Sequence, residues 1–269
     1  MRKYTLILCF LLAAATASAA KIDTVAVFSA KMQRDIPALV VVPDAGAGRR
    51  MPVLYLLHGY SGSYMTWQRD VTDLRPLADA YGMIIACPDG ENSWYWDSPT
   101  DPQSQFETFV SQELTTYIDK HYATRDNRKG RAITGFSMGG HGGLWLSMRH
   151  PDIFGAGGSI SGGVDIRPFP ENWKMKEQLG SYDEYPERWN EYTVINQLDS
   201  LSDKQLHIVI DCGYGDFFYK VNQQLHNELL KRGIPHDYYN HPGRHTIEYC
   251  GIAIDYQIVF FNKYFDSSK

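Results

Sequence analysis

The stretch RAITGFSMGG at residues 131–140 decides the fold. It begins with a short apolar segment that predicts a strand, continues with the pattern Gly-x-Ser-x-Gly at 135–139, and leads into a predicted helix at 139–148. A serine on a sharp turn between strand and helix presents its hydroxyl above the sheet. The pattern therefore predicts Ser137 as a nucleophile. The alternative is a glycine-rich turn with an inert serine.

Strand and helix patterns alternate on both sides of this stretch. Strands are predicted at 24–28, 36–42, 53–57, 83–86, 132–134, 156–160, 206–210 and 237–240, and helices at 74–81, 104–121, 139–148, 218–229 and 247–264. This alternation predicts an α/β fold with a mostly parallel central sheet and helices on both faces. The aperiodic segment 162–204 is interpreted as an excursion from the sheet edge. Residues 20–269 are expected to form a single domain.

Residues 1–19 have the features of a secretory signal peptide. Arg2 and Lys3 precede an apolar stretch, which is followed by small residues that end in Ala-Ser-Ala at position 19. An uncleaved membrane anchor needs about 20 strongly apolar residues, more than this stretch supplies. We therefore expect export to the periplasm or out of the cell, with cleavage after Ala19 or Ala20.

Charge and cysteine content exclude several classes of protein. The 269 residues carry a net charge of −5 without a long basic run, so an electrostatic nucleic-acid footprint is not expected. Beyond the predicted leader the chain has Cys87, Cys212 and Cys250, an odd number that excludes a disulfide framework. A Cys212–Cys250 pair and buried free thiols both stay open. The sequence has no Cys/His cluster with zinc-ligand spacing, and no metal or organic cofactor is expected.

A nucleophilic serine needs a base and an orienting acid, which follow it in this type of fold. Most of the nine histidines precede Ser137 or lie on predicted helices or strands. Those that remain are His236, His241 and His245. We predict His245 as the base, because it follows a Pro-Gly turn and opens the last helix. His241, directly before a proline, is the alternative.

The acid is expected after the strand at 206–210. Asp216 lies on the following loop and can turn toward the histidine more easily than Asp211, which ends the strand. Asp216 is therefore preferred, with Asp211 as the alternative. The oxyanion hole requires two backbone N–H groups, which we assign to Met138, after the nucleophile, and to Tyr60, after an early strand.

These motifs together resemble the esterase D-like branch of the α/β-hydrolases. That branch includes feruloyl and acetylxylan esterases of carbohydrate esterase family 1, S-formylglutathione hydrolases and mycolyltransferases of the antigen 85 type. The segments that carry the resemblance are Leu56–Gly59, Pro88–Gly90, Ser93–Tyr95, Gly135–Gly140, His150–Phe154, Cys212-Gly213 with Asp216, and Gly243–His245. The resemblance covers essentially all of the mature chain. It implies an α/β-hydrolase fold with Ser137, Asp216 and His245 at the triad positions, and Tyr60 and Met138 at the oxyanion-hole positions.

Five aromatic residues are candidates for substrate binding: Trp94, Tyr95, Trp96, Trp173 and Trp189. The first three follow the predicted strand at 83–86, at the sheet end where such folds bind ligands, and are candidates for the wall of a phenolic-acid pocket. The two tryptophans of the excursion are candidates for stacking on sugar rings. The alternative for all five is that they fasten their loops to the core.

The expected function is an exported serine esterase that removes feruloyl or acetyl groups from plant polysaccharide such as xylan, or from its fragments. The expected partner is an acylated carbohydrate or a small ester, with no nucleic acid and no membrane span after leader removal. Export disfavours the formylglutathione hydrolase branch, whose members are generally cytosolic. Alternatives are a general short-chain carboxylesterase and an acyltransferase with a sugar acceptor. A non-catalytic carbohydrate-binding protein is disfavoured because it would not need all three triad residues.

Overall fold

The computed structural model describes residues 19–44, 48–201 and 206–268. The predicted leader, apart from Ala19, lies outside these residues. Within them, eight strands form one sheet in the order β1-β2-β4-β3-β5-β6-β7-β8. The strands are β1 (Lys21–Ser29), β2 (Arg34–Val42), β3 (Val53–Leu57), β4 (Ile84–Pro88), β5 (Arg131–Gly135), β6 (Ala156–Ile160), β7 (His207–Asp211) and β8 (Asp237–Tyr239). From β4 to β8 all neighbours are parallel, while β2 pairs antiparallel with β1 and β4, which confirms the predicted α/β-hydrolase fold.

The helices of the described residues follow the predicted alternation. They are α1 (Leu74–Tyr81), α2 (Phe106–Thr108), α3 (Thr115–His121), α4 (Met138–Arg149), α5 (Met175–Leu179), α6 (Pro186–Glu191), α7 (Tyr219–Lys231) and α8 (Ile247–Ser267). π-Helical turns lie at Trp67–Val71 and Phe109–Leu114, and 3₁₀ turns at Arg128–Gly130 and Val194–Leu201. In the described part of the chain, no helix combines the length and apolarity needed to cross a membrane.

Strand β3 shows why the central strands read as continuous apolar runs. All five of its residues are buried. Val53, Tyr55 and Leu57 enter the core on one face of the sheet, with residues of α4 and α7, while Leu54 and Leu56 enter the core on the other face, with residues of α1 and α8. Side chains alternate between faces along a strand, so a sheet covered on both faces requires apolar residues at every position.

The excursion at 162–204 has secondary structure of its own. It contains α5, α6 and the 3₁₀ turn at Val194–Leu201, and its last residues, 202–204, lie outside the described residues. Met175, Leu179 and Trp189 are fully buried in the core on the α4 face. The segment therefore packs onto the hydrolase core through apolar contacts.

The three cysteines of the described residues are free thiols. Cys87, Cys212 and Cys250 are all buried, and no disulfide joins Cys212 to Cys250 in this structure. Burial raises the pKa of each thiol well above its ordinary value. Of the two alternatives left open by the sequence, the structure has the buried free thiols.

Candidate active site

Ser137 lies on the turn between β5 and α4 with a strained backbone. Its φ of 60° and ψ of −115° are outside the regions that non-glycine residues ordinarily adopt. The Ser137 N–H donates to the Ile160 carbonyl oxygen over 2.9 Å, and the Gly139 N–H donates to that of Phe136 over 2.8 Å. These hydrogen bonds hold the turn and place the Ser137 side chain at the carboxyl end of the sheet.

The two glycines of the Gly-x-Ser-x-Gly pattern are required by close packing. A Cβ atom on Gly135 would lie 2.4 Å from the Leu57 carbonyl oxygen, and one on Gly139 would lie 2.3 Å from the same oxygen. No side chain fits at these distances. The pattern therefore lets the serine turn approach the end of β3.

The structure brings the three predicted triad residues together. His245 Nε2 accepts a hydrogen bond from Ser137 Oγ over 2.8 Å, and His245 Nδ1 donates to Asp216 Oδ2 over 2.8 Å. The other carboxylate oxygen of Asp216 accepts from the Phe218 N–H over 2.7 Å. Both carboxylate oxygens are thus engaged, and the imidazole tautomer that leaves Nε2 free to take a proton is favoured.

The alternative acid and base lie elsewhere. Asp211 is fully buried at the end of β7, where Oδ1 accepts a hydrogen bond from the Tyr249 hydroxyl. His241 Nε2 is 3.7 Å from the other Asp211 carboxylate oxygen. Neither of these two residues is hydrogen-bonded to Ser137, so the geometry matches the preferred assignment of Asp216 and His245.

Two phenyl rings pack against the imidazole of His245. Phe136 packs against it at a centroid distance of 4.7 Å and Phe217 at 4.2 Å, with interplanar angles of 32° and 34°. Phe218 meets the same ring edge-on at 5.6 Å. These three phenylalanines were not among the residues predicted from the sequence, although two of them directly follow Asp216 and the third directly precedes Ser137. Their packing orients the imidazole toward the serine.

The two predicted oxyanion-hole residues flank Ser137. Within the described residues, neither the Tyr60 N–H nor the Met138 N–H has a hydrogen-bond acceptor. A Cβ atom on Gly59 would lie 3.3 Å from the Ser137 Cβ, so the Tyr60 loop adjoins the serine. His58 holds this loop, because Nδ1 donates to the Gly59 carbonyl oxygen over 2.8 Å and Nε2 accepts from the Gly90 N–H over 2.8 Å. Two unpaired N–H donors beside a serine can stabilise an oxyanion.

The structure corrects the expectation for Trp94, Tyr95 and Trp96, which are at most 1% exposed. Trp94 and Tyr95 both have positive φ, at 57° and 60°, and this tight turn directs the three rings into the core. There Trp96 Nε1 donates to His141 Nε2 over 2.8 Å, and the Tyr95 hydroxyl donates to the His58 carbonyl oxygen over 3.1 Å. These side chains fasten the loop after β4 rather than face a substrate.

The two tryptophans of the excursion differ in position. Trp189 is fully buried and donates from Nε1 to the Gly180 carbonyl oxygen over 3.0 Å, so the expectation that it binds substrate is also corrected. Trp173 is half-buried and stacks on Phe217 at 5.6 Å with an interplanar angle of 24°. Because Phe217 contacts His245, Trp173 belongs to the surroundings of the site. Phe217 is 51% exposed, and the pair forms an aromatic shelf, Trp173 and Phe217, beside the imidazole.

A cavity of about 340 Å³ adjoins the other side of the site. Its lining includes Tyr60, Phe136 and Ile247, together with the polar side chains of Arg69 and Asp70. A larger cavity of about 790 Å³ is lined by residues at the beginning of β7 and before β8, at the opposite end of these strands from Ser137. The smaller cavity borders Tyr60 and Phe136, next to Ser137, and is placed to receive part of a molecule bound at the serine.

Electrostatics around the site are set mainly by burial. Desolvation lowers the pKa of His141, which lies under the Trp94 loop, to about 4, so this histidine is neutral in the folded protein. Desolvation raises the pKa of Asp211 to about 6, against the opposing effects of the Tyr249 hydrogen bond and of His241. In residues 19–44, 48–201 and 206–268, no group of three His, Cys, Asp or Glu side chains is placed to hold a metal ion.

Comparisons with known proteins place this geometry in a family. A family model described as "Putative esterase" matches residues 29–255. An esterase of Mycobacterium tuberculosis, MT1326, is 27% identical over 235 residues, which cover 77% of this chain and 52% of that protein. This chain therefore spans about half the length of that relative. An acetyl esterase of Caldicellulosiruptor saccharolyticus is 27% identical over 219 residues, which cover 74% of this chain and 79% of that protein.

A solved ferulic acid esterase shares the fold, with a TM-score of 0.76 and 26% identity. The superposition covers 91% of this chain and 99% of that one. The family match at residues 29–255 contains both the Gly-x-Ser-x-Gly turn and His245. The chain belongs to this esterase family.

Proposed function

We propose that this chain is an exported serine ester hydrolase that removes feruloyl or acetyl groups from plant polysaccharide such as xylan, or from its fragments. The observation that carries the proposal is the hydrogen-bonded series Ser137–His245–Asp216, with two donor–acceptor distances of 2.8 Å. A serine hydroxyl beside an oriented imidazole and two free N–H donors has the parts needed for acyl transfer. The acetyl esterase and ferulic acid esterase relatives support an ester substrate.

The first half-reaction acylates the serine. His245 Nε2 takes the Ser137 hydroxyl proton as Oγ attacks the ester carbonyl carbon, and the negative charge on the former carbonyl oxygen is stabilised by the N–H groups of Tyr60 and Met138. Collapse of this intermediate breaks the bond to the alcohol, which leaves with the proton from His245. Asp216 stabilises the imidazolium and keeps its orientation.

The second half-reaction releases the acid. Water gives a proton to His245 and attacks the acyl-enzyme, and the same two N–H groups stabilise the second oxyanion. When this intermediate collapses, Ser137 Oγ recovers the proton and the carboxylic acid leaves. The net reaction is ester plus water to acid plus alcohol, so no further reactant is needed.

The two sides of the site differ in chemistry, which supports a substrate that has an aromatic acyl group and a sugar as its two parts. The aromatic shelf includes the exposed side chain of Phe217 and the half-buried Trp173, and a feruloyl ring can pack against it. The cavity beside Tyr60 carries a charged pair, Arg69 and Asp70, which suits the hydroxyl groups of a sugar. Its volume of about 340 Å³ is at the small end of ligand pockets.

Initial rates on four substrates test the reaction and the acyl group: p-nitrophenyl acetate, p-nitrophenyl butyrate, methyl ferulate and acetylated xylan. We expect methyl ferulate or acetylated xylan to give the highest kcat/KM, and Ser137→Ala to remove all activity. The control is Ser147→Ala, which removes a hydroxyl bound to the Gly143 carbonyl oxygen within α4 and leaves the site intact. Preference for butyrate would indicate a general carboxylesterase, and wild-type rates equal to those of Ser137→Ala would overturn the hydrolase proposal.

The assignment of the acid has its own test. Asp216→Asn is expected to lower kcat by about 10⁴-fold, because an asparagine favours the wrong imidazole tautomer. KM for p-nitrophenyl acetate should change little, since Asp216 is buried behind the imidazole. A kcat within tenfold of the wild-type value would contradict the role given to Asp216.

The proposal that the protein is exported depends on the predicted signal peptide at residues 1–19. Fractionation of cells that express the full chain, followed by sequencing of the amino terminus, tests it. We expect the protein outside the cytoplasm, beginning at Ala20 or Lys21. Cytoplasmic protein that begins at Met1 would contradict export and leave the proposed chemistry unaffected.

A further inference from the structure

Asp211 is a buried carboxyl group that the proposed reaction does not use. It ends β7 and has no solvent exposure. Its Oδ1 accepts a hydrogen bond from the Tyr249 hydroxyl. Among the described residues, Asp211 Oδ2 has no hydrogen-bond partner, and neither has His241 Nε2, which is 3.7 Å away. Burial of an incompletely paired carboxyl group is costly, which calls for a role that outweighs the cost.

The ring of Tyr249 packs against the two loops that carry Asp216 and His245. A Cβ atom on Gly243 would lie 2.1 Å from Tyr249 Cδ2, and one on Gly213 would lie 3.0 Å from Tyr249 Cε2. Gly243 is two residues before His245, and Gly213 is three residues before Asp216. The tyrosine ring therefore sets how closely both loops approach α8.

The two loops are also hydrogen-bonded to each other next to this ring. The Gly215 N–H donates to the Gly243 carbonyl oxygen over 2.8 Å, and the Tyr214 N–H donates to that of His241 over 3.1 Å. A displacement of one loop is thus transmitted to the other. His241 stands at this junction, with its carbonyl oxygen bound to the Asp216 loop and its ring facing Asp211.

We propose that Asp211, through Tyr249 and with His241, is a positioning residue that holds the Asp216 and His245 loops at their working distance. This inference rests on the proposed function. Its physical basis is that catalysis depends strongly on the distance between the reacting groups, because a misplacement of about 1 Å can lower turnover about a hundredfold. The Asp211–Tyr249 hydrogen bond fixes the ring against which both loops pack.

The charge of Asp211 changes near neutral pH, which provides a distinctive readout. Burial raises the pKa of its carboxyl group to about 6. The titratable groups that face it are His241, Tyr249 and Cys250, with Cys212, Tyr238 and Tyr239 nearby. Above this pH the carboxylate is charged and is a stronger acceptor for the Tyr249 hydroxyl. Below it the acceptor is neutral, and the hydrogen bond to Tyr249 weakens.

The test uses Tyr249→Phe and Asp211→Asn, with Tyr264→Phe as the matched control. Tyr264 lies on the same helix, is also buried, and donates its hydroxyl to the Arg128 carbonyl oxygen over 3.0 Å, so the control loses a comparable hydrogen bond. We expect Tyr249→Phe to lower kcat for p-nitrophenyl acetate about 10- to 100-fold, with KM within about twofold of the wild-type value. Tyr264→Phe should keep the wild-type kcat.

The pH profile separates positioning from simple structural support. In the wild-type protein, protonation of Asp211 should add one proton to the decline of kcat on the acid side of neutral pH. Asp211→Asn cannot ionise, so its acid limb should be shallower by one proton. The proton nuclear magnetic resonance signal of the His245–Asp216 hydrogen bond should shift in Tyr249→Phe and stay unchanged in Tyr264→Phe.

Wild-type kcat in Tyr249→Phe, or identical acid limbs in the wild-type protein and Asp211→Asn, would overturn the proposal. Equal losses of kcat in Tyr249→Phe and Tyr264→Phe would overturn it as well, since they would indicate general destabilisation. Failure of the proposed function is recognised separately, because the wild-type rate would then equal that of Ser137→Ala. In that case the resonance of the His245–Asp216 hydrogen bond still decides whether Tyr249 positions the pair.

Discussion

The strained backbone of Ser137 links local geometry to chemistry. A non-glycine residue at positive φ costs of order 1–3 kcal/mol and persists only where its surroundings determine it. At Ser137 those surroundings are the hydrogen bond to Ile160, the packing of Gly135 and Gly139 on Leu57, and the start of α4. The strain places the hydroxyl beside the imidazole of a residue 108 positions later in the chain.

Chain order and loop position, together with the family resemblance, predicted Ser137, Asp216 and His245 as a group, and the structure joins them by hydrogen bonds. The same reasoning failed for Trp94, Tyr95 and Trp96, because placement on the correct loop does not determine the direction of a side chain. Two consecutive left-handed residues direct those rings inward, and no short-range pattern in the sequence specifies that conformation.

The raised pKa of Asp211 predicts a specific dependence of stability on pH. Because its pKa of about 6 exceeds the ordinary value of 3.8, the folded protein holds a proton that the unfolded chain has released between these pH values. The contribution of this group is therefore fully present below about pH 4 and is lost as the pH rises to about 6. The loss corresponds to about 3 kcal/mol, since each pKa unit represents about 1.4 kcal/mol.

Urea unfolding of the wild-type protein and of Asp211→Asn between pH 4 and 8 measures this effect. We expect the free energy of unfolding of the wild-type protein, relative to the variant, to fall between pH 4 and 6.5 and to stay level above. Parallel curves across the range would mean that Asp211 titrates normally. A difference that grows with pH would mean that its pKa is lowered.

At the scale of elements, the helix predicted at 104–121 shows what periodicity can and cannot specify. The apolar spacing located the helix, but the structure interrupts it with the π-helical turn Phe109–Leu114. Glu107 at its start is buried and accepts hydrogen bonds from Trp145 Nε1 over 2.9 Å and from Arg149 Nε over 2.8 Å. Both partners of Glu107 belong to α4, so these hydrogen bonds could not be predicted from the sequence of residues 104–121 alone.

Two tryptophans are expected to differ in what they affect: Trp96, in the loop after β4, the stability of the fold, and Trp173, in the excursion, the binding of substrate. Trp96→Phe should lower the free energy of unfolding by about 1–3 kcal/mol, because it leaves the buried His141 Nε2 without its donor. Trp173→Ala should raise KM for methyl ferulate several-fold, through loss of a ring stack worth about 0.5–1.5 kcal/mol, and should change stability less.

Thermal melts and kinetics on methyl ferulate and p-nitrophenyl acetate measure both effects. The acetate, which has no aromatic acyl group, is the control substrate, and its KM should be similar in the wild-type protein and Trp173→Ala. Equal changes of KM for both esters in Trp173→Ala would place the effect outside the acyl group. An increase of KM in Trp96→Phe with unchanged stability would reverse the assignment of the buried ring.

At the scale of the whole molecule, strand alternation predicted the class of sheet but not its order. The parallel strands from β4 to β8 follow from βαβ connections, whereas β1 and β2 extend the sheet by antiparallel pairing on the outer side of β4. The pairing of β2 with β4 is between segments far apart in sequence, so it depends on tertiary contacts. The carboxyl-end position of the site could nevertheless be predicted, because every parallel strand directs its following loop to the same edge.

Because the thiols are buried, we predict that the cysteines react with reagents only after the protein has unfolded. Cys87, Cys212 and Cys250 are at most 1% exposed, and burial raises the pKa of each, so both access and the thiolate fraction are low. In Cys9→Ser, which has only these three cysteines, Ellman's reagent should label no thiol in buffer and three in denaturant. A reductant should leave Tm unchanged. One labelled thiol in denaturant, together with a Tm lowered by reductant, would show a disulfide and contradict the prediction. Rapid labelling in buffer would also contradict it, and would show that the core around α1 and α8 opens locally.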